Sequence, residues 1–154
     1  YAGAILNDPR FQKLRSFEHH GPANTVYDHS LAVTRAAYRI ACALHLSEEE
    51  TASVVRAALL HDFFMYNWND PASMRPLHGF THAREALCNA QKQFELNEIE
   101  RDVIKKHMFP LNIALPRYRE TALVSAADKI SAVLELVHSA RALRILRRCR
   151  AVGL

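Results

Sequence analysis

The sequence has few of the residues that break or cross-link a chain. Four glycines and six prolines in 154 residues exclude a collagen-like chain and argue against a many-turned β-sandwich. The three cysteines are odd in number and form no C-x-x-C pair, so we expect thiols in a reducing compartment rather than disulfides. No apolar run is long enough for a membrane span, and no signal-peptide pattern opens the sequence, so we expect no membrane association and a cytoplasmic location.

Acidic residues are absent after Glu135, where the basic residues concentrate. The tail after Glu135 contains five arginines. Without them, the chain has 15 basic and 16 acidic residues, so its net charge falls from +4 to −1. A nucleic-acid partner is therefore not expected, because its footprint would spread over a face of the domain. We interpret the tail as a solvated helix end, with contact to an anionic partner as the alternative. Leu134, Leu136 and Val137 before it predict either a packed final helix or a homodimer contact.

Apolar residues at helical spacing dominate the rest of the chain, whose composition (49% apolar, 23% charged) is that of a globular protein. Ser47 with Glu50 and Asn97 with Glu100 form capping boxes, and Thr81 is predicted to cap a further helix. We therefore predict an all-α, single-domain helical bundle of five or six helices over residues 1–154. Its core spans about 20–135, and 136–154 form a basic C-terminal helix.

Nine histidines are present, and several share helix faces with apolar residues. His29 precedes Val33 by four residues, and His107 follows Val103 by four, so both point toward the core. Asp128 lies on a similar stripe, and the pair His61-Asp62 ends the run Ala-Ala-Leu-Leu. Each residue alone is most simply a hydrogen-bonded core residue, but together these buried polar groups are best satisfied by a shared cation.

The order of these residues resembles the HD-domain superfamily of metal-dependent phosphohydrolases. The resemblance rests on Asp28-His29-Ser30, Leu60-His61-Asp62 and Ala127-Asp128-Lys129, and it covers about residues 20–135. It implies that His29, His61, Asp62 and Asp128 bind one metal ion. It also implies a second metal ion held by His82 and His107, with Asp62 bridging, although Ala83 stands where this subset usually has proline.

A ligand set of histidine and carboxylate without cysteine suits Fe, Mn, Co, Ni or Zn, and Mg is also allowed. The segment after Asp62 lacks the lysine with which many HD hydrolases contact phosphate in HD-x-x-K. Asp62 and Lys129 are the expected catalytic residues. The predicted substrate contacts are a loop histidine, two aromatic residues and three further polar residues: His20, Tyr66, Trp68, His78, Arg84 and Lys106.

The sequence leaves three functions open. The first is hydrolysis of a nucleotide or another small phosphate ester by metal-activated water. The same ligand set permits a di-iron oxygenase similar to inositol oxygenase, which would require dioxygen. The third is a non-catalytic, metal-stabilised binding module.

Overall fold

The computed structural model describes the backbone of residues 1–19, 24–67 and 78–151, and in the last range the side chains of 79–140. These ranges contain α-helices and no β-strand, which confirms the all-α prediction. The helices are α1 (Gly3–Leu6), α2 (Pro9–Lys13), α3 (Val26–Ala43), α4 (Glu48–Leu60), α5 (His78–Gln93), α6 (Glu98–Lys106) and α7 (Arg119–Ala151), with a 3-10 turn over Leu14–Ser16. None of the described helices has the length and apolar content to cross a bilayer.

Side-chain caps fix where three of these helices begin. The capping boxes predicted at Ser47 and Asn97 are confirmed at the starts of α4 and α6. A third capping box starts α3, where the Thr25 hydroxyl accepts a hydrogen bond from the Asp28 amide and the Asp28 carboxylate accepts one from the Thr25 amide. Each box satisfies backbone N–H groups that would otherwise lack partners at a helix N-terminus.

The structure differs from the prediction at both ends of the chain and at α5. The described chain begins with two short helices and a 3-10 turn, and its helices number seven rather than five or six. Helix α5 begins at His78, so Thr81 lies inside it and does not cap it. Gly79 packs closely on the 108–116 segment, because a Cβ there would lie 3.5 Å from Leu111.

Helices α3, α4, α6 and α7 enclose the core. Helix α3 packs on α4 and α7, and α6 packs on α4, α5 and α7. Phe63 and Phe64 are buried in this core. On one side of the core, Arg56 of α4 pairs with the buried Glu100 of α6 and donates to the Glu95 carbonyl. The core therefore presents the C-terminal ends of α4 and α6 to the middle of α7.

Asp102 of α6 connects that helix to the start of α7. Its Oδ2 accepts hydrogen bonds from the Arg117 amide at 2.9 Å and from the Thr121 hydroxyl at 2.7 Å, and Lys106 pairs with Oδ1. Burial alone would raise the pKa of Asp102, but these three donors outweigh burial and lower it. The carboxylate thus holds the segment between α6 and α7, which carries His107, in place.

The middle of α7 exposes several apolar side chains in the described chain: Ile130, Val133, Leu134, Leu136 and Val137. The predicted alternative of a packed final helix is therefore wrong for the residues up to 140. The homodimer contact stays a prediction.

We predict that Asp102→Ala lowers the free energy of unfolding by about 1–3 kcal/mol at pH 7, because the Arg117 amide and the Thr121 hydroxyl lose their acceptor. Because the folded-state pKa of Asp102 is lowered, this stabilisation is complete above the unfolded pKa near about 4 and is lost as the pH falls through the folded pKa. Urea denaturation at pH 7 and pH 3 measures both effects. Glu98→Ala, at an exposed carboxylate on the same helix, is the matched control and should change stability by less than about 0.5 kcal/mol. A loss for Asp102→Ala that is equally small would contradict the prediction.

Candidate metal centre

The ends of two helices orient two histidines in the same way. His61 follows the last residue of α4, and its Nδ1 donates to the Ala58 carbonyl at 2.8 Å. His107 follows the last residue of α6, and its Nδ1 donates to the Ile104 carbonyl at 2.9 Å. The last carbonyls of a helix lack intrahelical donors, so each ring satisfies one of them. This bond fixes the tautomer and leaves the Nε2 lone pair directed toward the centre of the bundle.

His29 meets two carboxylates from α7. Its Nε2 donates to Asp128 Oδ1 at 3.1 Å, and its Nδ1 donates to Glu135 Oε1 at 2.9 Å. Asp128 and Glu135 are seven residues apart and therefore lie on one face of the helix, two turns apart. As the sequence predicted, His29 and Asp128 come together from different helices.

The two oxygens of Asp62 face two different sets of imidazoles. Oδ2 lies 3.4 Å from His61 Nε2 and 4.0 Å from His29 Nε2. Oδ1 lies 3.4 Å from His82 Nε2 and 3.5 Å from His107 Nε2, and these two nitrogens are 3.1 Å apart. His82 thus reaches the cluster from α5, as the resemblance implied. Asp62 stands between the two sets.

Burial and mutual charge set the protonation of the cluster. Burial lowers the pKa of His61 to about 4, so its ring is neutral near pH 7. Burial alone would raise the pKa of Asp62, but the facing imidazoles of His61, His107 and His82 hold it well below its usual value. Burial would likewise lower the pKa of His29, but its bonds to Asp128 and Glu135 raise it to about 10. A cation binding at His29 Nε2 must therefore displace a proton.

The residues present fit a divalent cation. His61 Nε2 and Asp62 Oδ1 are fully buried and have no hydrogen-bond partner among the described residues. Leaving a buried polar atom unpaired costs free energy of folding, so both atoms call for a partner. Three triads each bring one atom per residue within 4.8 Å of the others: His29/His61/Asp128, His61/Asp62/His107 and His19/His29/Asp62. Ligand atoms at about 2.1 Å from one cation lie roughly 3.0–4.2 Å apart in an octahedron. The separations at Asp62 fall within that range.

A cavity of about 610 Å³ opens onto Asp62, His82 and Asp128. Lys129 stands at its edge, half-exposed, and donates to the His107 carbonyl at 3.0 Å and to Ser125 Oγ at 2.8 Å. Burial lowers the pKa of this ammonium group. The remaining wall is largely apolar and includes Met108, Pro110, Leu111 and Ala132. The cavity can therefore admit a small molecule with one anionic and one apolar part.

The other predicted substrate contacts do not gather at this cavity. Tyr66 is buried with its ring 5.0 Å from that of Phe64. Arg84 lines a separate cavity of about 390 Å³, and Lys106 pairs with Asp102. His20 and Trp68 lie outside the described residues, as does the side chain of His78. Neither Arg84 nor Lys106 is among the residues that line the 610 Å³ cavity.

Two residues that the sequence reasoning missed belong to the cluster: His19 and Glu135. Reasoning from the sequence chose His20 from the His-His pair. A backbone bridge between Glu18 and Thr25 instead places His19 beside the start of α3, a feature with no sequence signature. Glu135 does have a sequence signature, because it lies seven residues after Asp128 and therefore on the same face of the same helix.

A family model described as HD domain matches residues 26–133, which is more than half of the chain. The matched span begins at the first residue of α3 and contains all six predicted ligands. His19 and Glu135 lie just outside it. No curated protein matches the chain.

We predict that chelator-treated protein is stabilised by Mn²⁺ or Co²⁺, because a bound cation compensates the buried carboxylates and gives His61 Nε2 a partner. At a metal concentration a hundred times its Kd, the gain is about 2.7 kcal/mol, measured as a rise in melting temperature. Asp62→Asn should remove most of the rise, since it takes away the charge that faces both sets of imidazoles. His45→Asn removes an exposed histidine with φ of 51° and should leave the rise intact. An equal rise in the Asp62 variant would contradict the assignment.

Proposed function

The chain belongs to the HD domain family, and on that premise we propose that it is a metal-dependent phosphohydrolase of a nucleotide or another small phosphate ester. The HD domain indicates a superfamily of metal-dependent hydrolases. The observation that carries the proposal is the position of Asp62, whose two oxygens face separate sets of imidazoles beside the 610 Å³ cavity.

The ligand atoms divide into two groups that share Asp62. His29, His61, Asp62 Oδ2 and Asp128 would hold one cation, and His82, His107 and Asp62 Oδ1 would hold a second. When bound, two divalent cations polarise phosphoryl oxygens and bring the pKa of water from 15.7 toward about 7. Fe, Mn, Co, Ni and Zn all suit this set of nitrogen and oxygen ligands.

The protein's own groups orient the reactants. The fixed tautomers of His61 and His107 keep their Nε2 atoms directed inward, so the ligand geometry needs no rearrangement when substrate enters. Asp62 lines the cavity, and its carboxylate can accept a hydrogen bond from the attacking water. Lys129 supplies a positive charge at the cavity edge, and the lowered pKa of its ammonium group favours proton transfer to the leaving oxygen.

The wall opposite these polar groups favours a substrate with an apolar portion. Met108, Pro110 and Leu111 form a continuous stretch of this wall. A nucleobase or a comparable planar group can bury its faces there, while its phosphate meets Lys129 and the Asp62 cluster.

We predict that Mn²⁺- or Co²⁺-loaded protein hydrolyses at least one member of a panel of nucleoside monophosphates, sugar phosphates and phosphodiesters, at equal rates with and without dioxygen. Asp62→Asn should abolish turnover together with metal content, measured by elemental analysis and phosphate release. His45→Asn serves as the control with unchanged rates. Product that forms only under oxygen would replace hydrolysis with di-iron oxygenase chemistry. Metal binding without turnover on the whole panel would indicate a binding module.

Lys129→Met should lower kcat/KM about 10–100-fold, because a charge-assisted hydrogen bond to phosphate contributes about 1.5–3 kcal/mol. Metal content should stay at the wild-type level, since Nζ does not contact the ligand nitrogens. Lys129→Arg keeps the charge and should retain more activity than Lys129→Met. If both variants are as active as the wild type, Lys129 has no part in the reaction.

A further inference from the structure

Glu135 contacts two stacked imidazoles with its two carboxylate oxygens. Oε1 lies 2.9 Å from His29 Nδ1, and Oε2 lies 3.5 Å from His19 Nδ1. The two rings stack with centroids 3.9 Å apart and an interplanar angle of 26°. One carboxylate therefore faces the same nitrogen of both rings, with a hydrogen bond to His29 and a longer contact to His19.

Both Nε2 atoms lie near the same oxygen of Asp62. His19 Nε2 lies 3.6 Å from Asp62 Oδ2, and His29 Nε2 lies 4.0 Å from it. Such separations are too long for direct hydrogen bonds but suit adjacent or opposite ligands of one cation. His19, His29 and Asp62 also form one of the three triads whose ligand atoms can converge on a cation.

His19 is held in this position by the fold. Its amide donates to the Asn24 carbonyl at 2.8 Å, and the Val26 amide donates to the Phe17 carbonyl at 2.9 Å. These bonds flank the bridge between Glu18 and Thr25, so His19 is fixed against the start of α3. The ring itself is buried and also lines the 610 Å³ cavity. A buried imidazole that opens onto a cavity beside a carboxylate is placed for a ligand rather than for packing alone.

We propose that His19 is a further nitrogen ligand of the cation held by His29, His61, Asp62 and Asp128, and that Glu135 is the positioning residue behind His19 and His29. The inference rests on the metal-binding part of the proposed function. With His19 the cation has five protein ligand atoms, so an octahedral ion keeps one position for water or substrate. Glu135 accepts a hydrogen bond from His29 Nδ1 and faces His19 Nδ1, so it would orient both rings as carboxylates behind metal-bound histidines do.

Mn²⁺ binding to the full chain, measured by calorimetry, tests both roles without an assay of activity. Glu135→Gln keeps the shape of the side chain but removes its charge, and we expect the Kd for Mn²⁺ to rise about 10–100-fold. His19→Ala should raise the Kd by more than Glu135→Gln does, and it should change the visible spectrum of the Co²⁺-loaded protein, because a nitrogen ligand is lost. Glu98→Gln and His45→Asn are the matched controls for the loss of a carboxylate and of an imidazole, and both should bind as the wild type does.

The double variant His19→Ala/Glu135→Gln separates positioning from an independent effect. Because Glu135 acts partly through His19, its removal should cost less in the His19→Ala background than in the wild type. Melting of each metal-free variant confirms that it folds, and His19→Asn makes the same comparison if His19→Ala does not fold.

An unchanged Kd and an unchanged Co²⁺ spectrum in His19→Ala would overturn the ligand role, and an unchanged Kd in Glu135→Gln would overturn the positioning role. Either result leaves hydrolysis by the wild type standing. Wild-type protein that binds Mn²⁺ with these variant effects but hydrolyses no phosphate would overturn the proposed function and support the inference. Wild-type protein that binds no divalent cation would overturn both.

Discussion

The buried charge of Asp62 is the constraint on which the rest of the structure depends. An isolated carboxylate in a helical core costs several kcal/mol or becomes protonated. Here the charge is retained because imidazoles from the segment before α3, from α3, from α5 and from the ends of α4 and α6 surround both oxygens. The helices α3, α4, α6 and α7 therefore have to pack so that these side chains surround the carboxylate. Otherwise the buried charge would destabilise the fold.

Helix termini contribute more to this arrangement than helix faces do. His61 and His107 each satisfy a carbonyl of their own last turn, and the same bond aims their second nitrogen inward. The Thr25–Asp28 capping box fixes the first turn of α3 and thereby positions His29, which follows that turn. Lys129 and Ser125 then bind the His107 carbonyl from α7, which ties the end of α6 to the helix that carries Asp128.

The sequence predicted the parts of this site that obey helical spacing. His29, His107 and Asp128 lie on apolar stripes. The capping boxes at Ser47 and Asn97 begin helices at the positions that the sequence predicted. His19 could not be predicted, because a single backbone bridge places it beside the start of α3. Tyr66 and Lys106 were expected at the substrate, but each has a local partner that a polar or aromatic pattern does not reveal. Thr81 does not cap α5, because the helix begins three residues earlier, at His78.

Asp128, Lys129 and Glu135 all lie on α7, which runs unbroken from Arg119 to Ala151. One helical residue advances the chain by about 1.5 Å and turns it by roughly 100°. A single residue inserted or deleted between Asp128 and Glu135 would thus rotate one carboxylate off His29 while leaving the other on it. The seven-residue interval between Asp128 and Glu135 therefore cannot change in length without separating one of the two carboxylates from His29.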